Sequence, residues 1–279
     1  MYSFNNYLQL PRRKELKNIP INSLKNDHYA KFLKSKCNYL ANFNIPKHNV
    51  AILIPTTSRN RNWSSVTESY LVNNTLPSII TRNSNKHNLC FYIGFDPDDK
   101  FYTNAETHEA IKKQFAYFTH VTFKFVCFKN ISRGHVTKMW NMLFKIAFND
   151  KNHYFLQCGD DIIFHGDWID MAIKMLQLHR NIGITGPLCD NPFILTQSFV
   201  SRKHMEIFGC YFPESIINWG CDDWICKVYK PKYFFPLMDY FAYNTGGEPR
   251  YDIKFDKVYR ELIAKIIISD KERIKKLGY

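Results

Sequence analysis

The chain has 279 residues and a mass of 33.1 kDa, enough for one large domain or two small ones. Hydrophobic residues at 45% and aromatics at 16% exclude a disordered protein, and no apolar run approaches the ~18 residues of a membrane span. The formal charge of +13 lies mainly in the flanks: +7 over residues 1–49, +4 over 230–279 and +2 between them. A nearly neutral middle argues against a nucleic-acid binder, which concentrates positive charge on its working surface. The first twenty residues are polar and charged with no apolar h-region, so the expectation is a cytoplasmic protein without a secretory leader. Eight cysteines include no Cys-x-x-Cys pair, which suits buried free thiols in a reducing compartment rather than a metal ribbon or disulfide framework.

Residues 23–43 place Leu24, Phe32, Leu33, Cys37, Leu40 and Phe43 near helical spacing, predicting an amphipathic helix ahead of the main domain. Val50 to Pro55 is a continuous apolar run suited to a buried parallel strand, followed by the polar loop Thr56-Thr-Ser-Arg-Asn60. Val66 to Ile80 reads as helical up to a break near Pro77. A second strand, Leu89 to Gly94, ends in Phe95-Asp-Pro-Asp-Asp99, and Asn104 caps a helix with Glu106 and Glu109 near its start. Strands at 121–128, 153–158 and 182–185 alternate with helices at 134–148 and 168–178. That alternation predicts an α/β fold with a mostly parallel sheet flanked by helices. Ligands of such sheets bind beyond the carboxyl ends of the strands. Those ends are Thr56–Arg59, Asp96–Asp99 and Gly159–Asp161, all polar and two of them acidic.

Two carboxylate pairs stand out. In Gln157-Cys-Gly-Asp-Asp-Ile162, Asp160 and Asp161 leave a buried strand side by side, an arrangement that repels unless a cation or an acid–base role holds it. Their hard oxygens suit Mg²⁺ or Mn²⁺ with a phosphate completing the shell, and the plainer alternative is a turn with a helix cap. In Asn218-Trp-Gly-Cys-Asp-Asp-Trp224, Asp222 and Asp223 sit at the start of a helix between two tryptophans. They can cap that helix, and apolar rings beside a carboxyl also raise its pKa toward that of a useful base.

The order of these segments over residues 49–251 resembles the GT-A glycosyltransferases of the nucleotide-diphospho-sugar transferase superfamily, in a family-2-like form. The resemblance implies transfer of a sugar from a nucleotide-diphosphate sugar to an acceptor hydroxyl of a glycan or glycoprotein. It places the nucleotide base and ribose at Pro55, Thr56, Thr57, Arg59 and Asp96, with Arg59 and Lys138 toward the diphosphate. The acidic turn is similar to the family's DXD metal motif with Gly159 in its first position, so metal and ribose contacts fall on Asp160 and Asp161, with Asp161 the preferred Mn²⁺ or Mg²⁺ ligand. Trp219-Gly-Cys-Asp-Asp223 is similar to the Trp-Gly-Gly-Glu-Asp segment of inverting galactosyltransferases, which implies Asp223 as base and Asp222 as its partner. Trp219 and Trp224 are then either sugar-stacking acceptor residues or core. Residues 195–209 resemble the acceptor-side segment. The Gly-rich stretch 243–251 lacks the His that some relatives use as a ligand, leaving Asn244 or Arg250 to meet phosphate.

The domain reading is a basic helical extension at 1–48, the GT-A domain at 49–251 and an amphipathic helix at 252–279 packed through Val258, Leu262, Ile266 and Ile267. Three rival readings carry the same carboxylates: a catalytically impaired sugar-binding relative, motivated by Gly159, a nucleotidyltransferase, and a two-metal nuclease. The nuclease requires a basic surface that the neutral middle lacks.

Overall fold

The computed structural model describes residues 27–83, 85–189, 191, 194–246, 252 and 255–276. The basic arm before residue 27, Leu24 and Arg250 lie outside them. Eight strands form one sheet: β1 (Asn49–Thr56), β2 (Asn88–Phe95), β3 (Val121–Cys127), β4 (Tyr154–Gln157), β5 (Ile162–His165), β6 (Ile184–Leu188), β7 (Ser198–Ser201) and β8 (Phe234–Asn244), in the order β3-β2-β1-β4-β7-β6-β8-β5. The sheet is mostly parallel, as expected: β3-β2-β1-β4 is parallel throughout and β6 runs parallel to β8. β7 reverses against both neighbours, and β5 reverses against β8. Val50, Ala51, Ile52, Leu53 and Ile54 of β1 are wholly buried, which is why a continuous apolar run rather than an alternating one occupies this central position. The parallel register sets Thr56 opposite Phe95 and Leu53 opposite Gln157, so the carboxyl ends of three strands emerge at one edge.

The helices are α1 (Asp27–Ala41), α2 (Leu76–Ile80), α3 (Ala105–Gln114), α4 (Val136–Asn149), α5 (Ile169–Leu178), α6 (Arg202–Phe208), α7 (Cys221–Tyr229) and α8 (Lys257–Lys276). Asn104 caps α3 as expected, its side chain accepting from Glu106 N at 2.9 Å. The segment before α2 is not one helix broken at Pro77. It is a 3-10 turn (Val66–Glu68) and a π turn (Leu71–Thr75), and Pro77 sits in the first turn of α2, where its missing N–H costs nothing.

α1 buries the centre of its expected face, and α8 is rotated from its own. α1 buries Leu33, Cys37 and Leu40, while Phe32, Tyr39 and Phe43 are exposed. α8 buries Ile263, Ile267, Asp270 and Ile274 and leaves Val258 and Leu262 outside. The cause is polar: Asp270 accepts a hydrogen bond from Trp224 Nε1 of α7 at 3.0 Å, which fixes the rotation of α8. All eight cysteines are free thiols, five of them buried.

Beneath the sheet, α5 carries a buried ionic knot. The Asp170 carboxylate meets Lys174 Nζ at 2.8 Å, His87 Nε2 at 3.3 Å and Lys86 Nζ at 3.5 Å. Burial alone would raise its pKa, but the hydrogen bonds from His87 and Lys174 and the two lysine charges hold it well below the usual carboxylate range. A depressed folded pKa means the stabilisation is complete above the unfolded value near ~4 and is lost as pH falls through the folded value. Asp170→Ala, which strands the buried Lys174, is expected to cost about 3 kcal/mol. Wild-type unfolding in urea from pH 6 down to pH 2 should show stability falling below about pH 4, with a weaker fall in the variant.

Candidate active site

The carboxyl ends of β1, β2 and β4 open onto a cleft of about 780 Å³. One wall is the end of β1, where Pro55, Thr56, Thr57 and Arg59 line the space. Thr56 is buried, and its hydroxyl donates to Asp160 Oδ2 at 2.7 Å, joining the end of β1 to the turn after β4. Arg59 Nη2 lies 4.0 Å from Asp96 and 3.8 Å from Asp98. Burial raises the Asp96 carboxyl, and the Arg59 charge opposes that rise. Arg133, which sequence reasoning missed, also lines the cleft and pairs with Asp98. It lies in the loop before α4, with no motif around it to mark it.

The turn carrying Asp160 and Asp161 forms the floor. Gln157 and Gln197 brace it: Gln197 Oε1 accepts from Gly159 N at 3.2 Å, and Gln157 Oε1 accepts from the Ser198 hydroxyl at 3.0 Å. Thr245, just beyond β8, donates from both its amide and its hydroxyl to the Asp161 carbonyl, each at 2.8 Å. Two glycines leave room for the Asp161 carboxylate. A Cβ on Gly246 would lie 1.7 Å from Oδ2, and one on Gly159 would lie 2.8 Å from Oδ1. The glycine at the first motif position therefore has a steric reason: a side chain there would compete with Asp161 for the same space.

Another wall is the start of α7. Gly220 adopts φ +89°, a conformation that favours glycine, and a Cβ there would lie 2.5 Å from Ile263 Cδ1 of α8, the far end of a side chain that would have to shift. Asp222 and Asp223 follow in the first turn, where the helix dipole favours negative charge. Both line the cleft. Asp223 pairs with Lys227 at 3.0 Å. Asp222 is pushed up to about 7 by desolvation, with the Cys221 thiol opposing and the Asp223 charge adding to the rise.

The structure divides the remaining expected residues. Trp219 is 45% exposed at the cleft rim, edge-on to Phe255 at 6.1 Å between ring centres. Trp224 corrects the expectation of a second stacking residue. It is wholly buried, packs edge-on against Phe208 at 5.2 Å and spends its indole N–H on Asp270, so no sugar reaches it. Lys138 is not among the lining residues: its half-exposed ammonium pairs with Glu214 at 3.7 Å, and its neighbours Val136, Met139 and Trp140 line the cleft. Trp140 was not singled out by sequence, yet its Nε1–H is buried with no partner among the described residues. Asn244 lines the cleft; Arg250 is outside the described residues.

Among the described residues, no group of three or more His, Cys, Asp or Glu side chains is placed to hold a metal ion. The donor set at the floor is two carboxylates, one of which already accepts from Thr56. Such a set fits a hard divalent ion whose shell is completed by substrate phosphate and water, and does not fit an all-protein cage.

Comparisons with protein-family models and with curated protein sequences find no match. Among solved structures, the chain is similar to S. aureus TarS, a glycosyltransferase, with a TM-score of 0.52 and 13% identity. The likeness covers 78% of this chain and 39% of the TarS chain, so this chain spans well under half of that protein. At this identity the likeness concerns the fold alone: the α/β architecture is GT-A-like.

The two tryptophans separate cleanly by experiment. Trp224→Ala should cost about 3–5 kcal/mol in urea unfolding, because it empties a core site and removes one of the partners of the buried Asp270. Trp219→Ala at the exposed rim should change stability by no more than about 0.5 kcal/mol.

Proposed function

We propose that this chain is a metal-dependent glycosyltransferase that moves a sugar from a nucleotide-diphosphate donor to an acceptor hydroxyl with inversion at the anomeric carbon. The observation that carries the reading is that two carboxylate pairs line one cleft, Asp160 and Asp161 at a strand end and Asp222 and Asp223 at a helix start. The GT-A-like fold supports it.

Asp161, with Asp160 beside it, would hold Mn²⁺ or Mg²⁺ against the donor diphosphate. The ion, when bound, offsets the negative charge that grows on the leaving nucleoside diphosphate. Thr56, Thr57 and Asp96 bound the nucleotide side, and Arg59 faces the same space with its guanidinium between Asp96 and Asp98. Trp219 offers its exposed ring to the acceptor sugar.

The acid pair divides the proton work. Asp223 accepts the proton of the attacking hydroxyl, with Lys227 beside its carboxylate. Asp222, raised to about 7, still carries a proton in a large fraction of molecules at neutral pH and can donate a hydrogen bond to the acceptor.

Titration of uridine diphosphate with and without Mn²⁺, followed by a nucleotide-sugar panel scored for hydrolysis, tests the donor side. Asp161→Ala should abolish the Mn²⁺-dependent binding with the fold intact; unchanged affinity would place the metal elsewhere. On the acceptor side, Asp223→Asn should lower turnover by ~10²–10⁴-fold with donor binding retained. Wild-type acceptor KM should rise as pH passes about 7 and Asp222 ionises, whereas Asp222→Asn should show a pH-independent KM. A product that retains the donor's anomeric configuration would remove the single-displacement base role.

A further inference from the structure

Asp99 lies just behind the nucleotide wall. It is buried and absent from the cleft lining, and its carboxylate accepts four hydrogen bonds. Oδ2 takes Ser58 N at 2.6 Å and the Thr57 hydroxyl at 3.2 Å. Oδ1 takes the Ser58 hydroxyl at 2.7 Å and Tyr102 N at 3.0 Å. An ionised carboxylate offers about four lone-pair directions, so these donors saturate it. Three of the four come from the loop after β1 and the fourth from its own loop after β2.

The chain of contacts continues into the cleft. Thr57 Oγ1, while donating to Asp99, accepts from Arg59 N at 3.2 Å. The Asp99 backbone is fixed in turn: its amide donates to Asp96 O at 3.1 Å, and its carbonyl accepts from Thr103 N at 2.8 Å and the Thr103 hydroxyl at 2.7 Å. Loops at strand ends are the most mobile parts of such a fold, and binding groups carried on them need a rigid support. Here one buried carboxylate supplies that support.

We infer that Asp99 is a positioning residue for donor binding, which holds the Thr57–Arg59 loop in the geometry that presents Arg59 to the nucleotide. This rests on the nucleotide-sugar reading above. Asp99 touches no substrate; it acts through Thr57 and Ser58. Replacing one carboxylate oxygen by an amide NH₂ turns an acceptor into a donor that faces other donors, so Asp99→Asn frees part of the loop without changing its size.

The test titrates UDP, GDP, CDP and dTDP into the full chain with Mn²⁺ and carries forward the tightest binder. Asp99→Asn should weaken that nucleotide roughly tenfold, which is about 1.4 kcal/mol. Donor KM should rise in parallel, while kcat at saturating donor stays within about twofold of wild type. A role confined to stability would move the melting temperature and leave this split between KM and kcat unmoved. In an Arg59→Ala background the penalty of Asp99→Asn should shrink below about threefold, because the group it positions is gone. Ser58→Ala removes one of the four bonds, leaves the carboxylate buried and paired, and should weaken binding by about threefold even if Asp99→Asn fails to fold. Undiminished affinity in either Asp99→Asn or Ser58→Ala, or a full penalty that persists without Arg59, overturns the inference and leaves the nucleotide-sugar reading standing. Failure of all four nucleotides to bind the wild type overturns both.

Discussion

The buried hydrogen bond between Thr56 and Asp160 is the joint on which the cleft depends. A carboxylate removed from water is costly unless donors satisfy it, and the turn after β4 delivers Asp160 to a buried position. A hydroxyl at the end of the neighbouring strand reaches it, which is possible because β1 and β4 run parallel and in register. Once that joint is made, the rest of the floor has few alternatives. Asp161 turns toward the cleft between Gly159 and Gly246, and the end of β8 is drawn over it through Thr245. The strand order thus brings a residue from the first strand, a turn after the fourth and the end of the last within hydrogen-bonding range.

Much of this was legible in the sequence, and what escaped did so for identifiable reasons. The parallel half of the sheet announces itself because β1 and β2 are buried on both faces and must be written as unbroken apolar runs. β6 and β7 do not. Ile-Thr-Gly-Pro-Leu and Ser-Phe-Val-Ser are short, interrupted by Gly, Pro and hydroxyl side chains, and stabilised by partners far away in the chain. The terminal helices show the limit of periodicity. Each carries apolar residues on more than one face, and for α8 the choice was made by a buried polar contact between Asp270 and Trp224 that no hydrophobic pattern encodes.

The site divides the same way. Carboxylates at a strand end and at a helix start are visible because their positions in the elements fix where they point. A residue inside a helix is harder to place: each step turns about 100° around the axis, so Lys138 faces Glu214 while Met139 lines the cleft. Trp224, one residue past the acid pair, turns into the core by the same rule. Asp99 illustrates a third kind of omission. It stood within an acidic strand end already singled out as ligand-facing, yet its side chain points back into the protein to hold the neighbouring loop.

Gly220 links the far end of the chain to this chemistry. Its lack of a side chain lets Ile263 of α8 lie against the residue that starts α7, two positions before Asp222. The Trp224–Asp270 bond adds a second point of attachment one turn further on. The acid pair therefore rides on a splint formed by the C-terminal helix. A load on that helix would bear on α7, and so on Asp222 and Asp223, whereas the turn carrying Asp160 and Asp161 is tied to β1 and to the end of β8. The side of the cleft formed by α7 is thus braced by α8, while the side carrying Asp160 and Asp161 is anchored separately in the sheet.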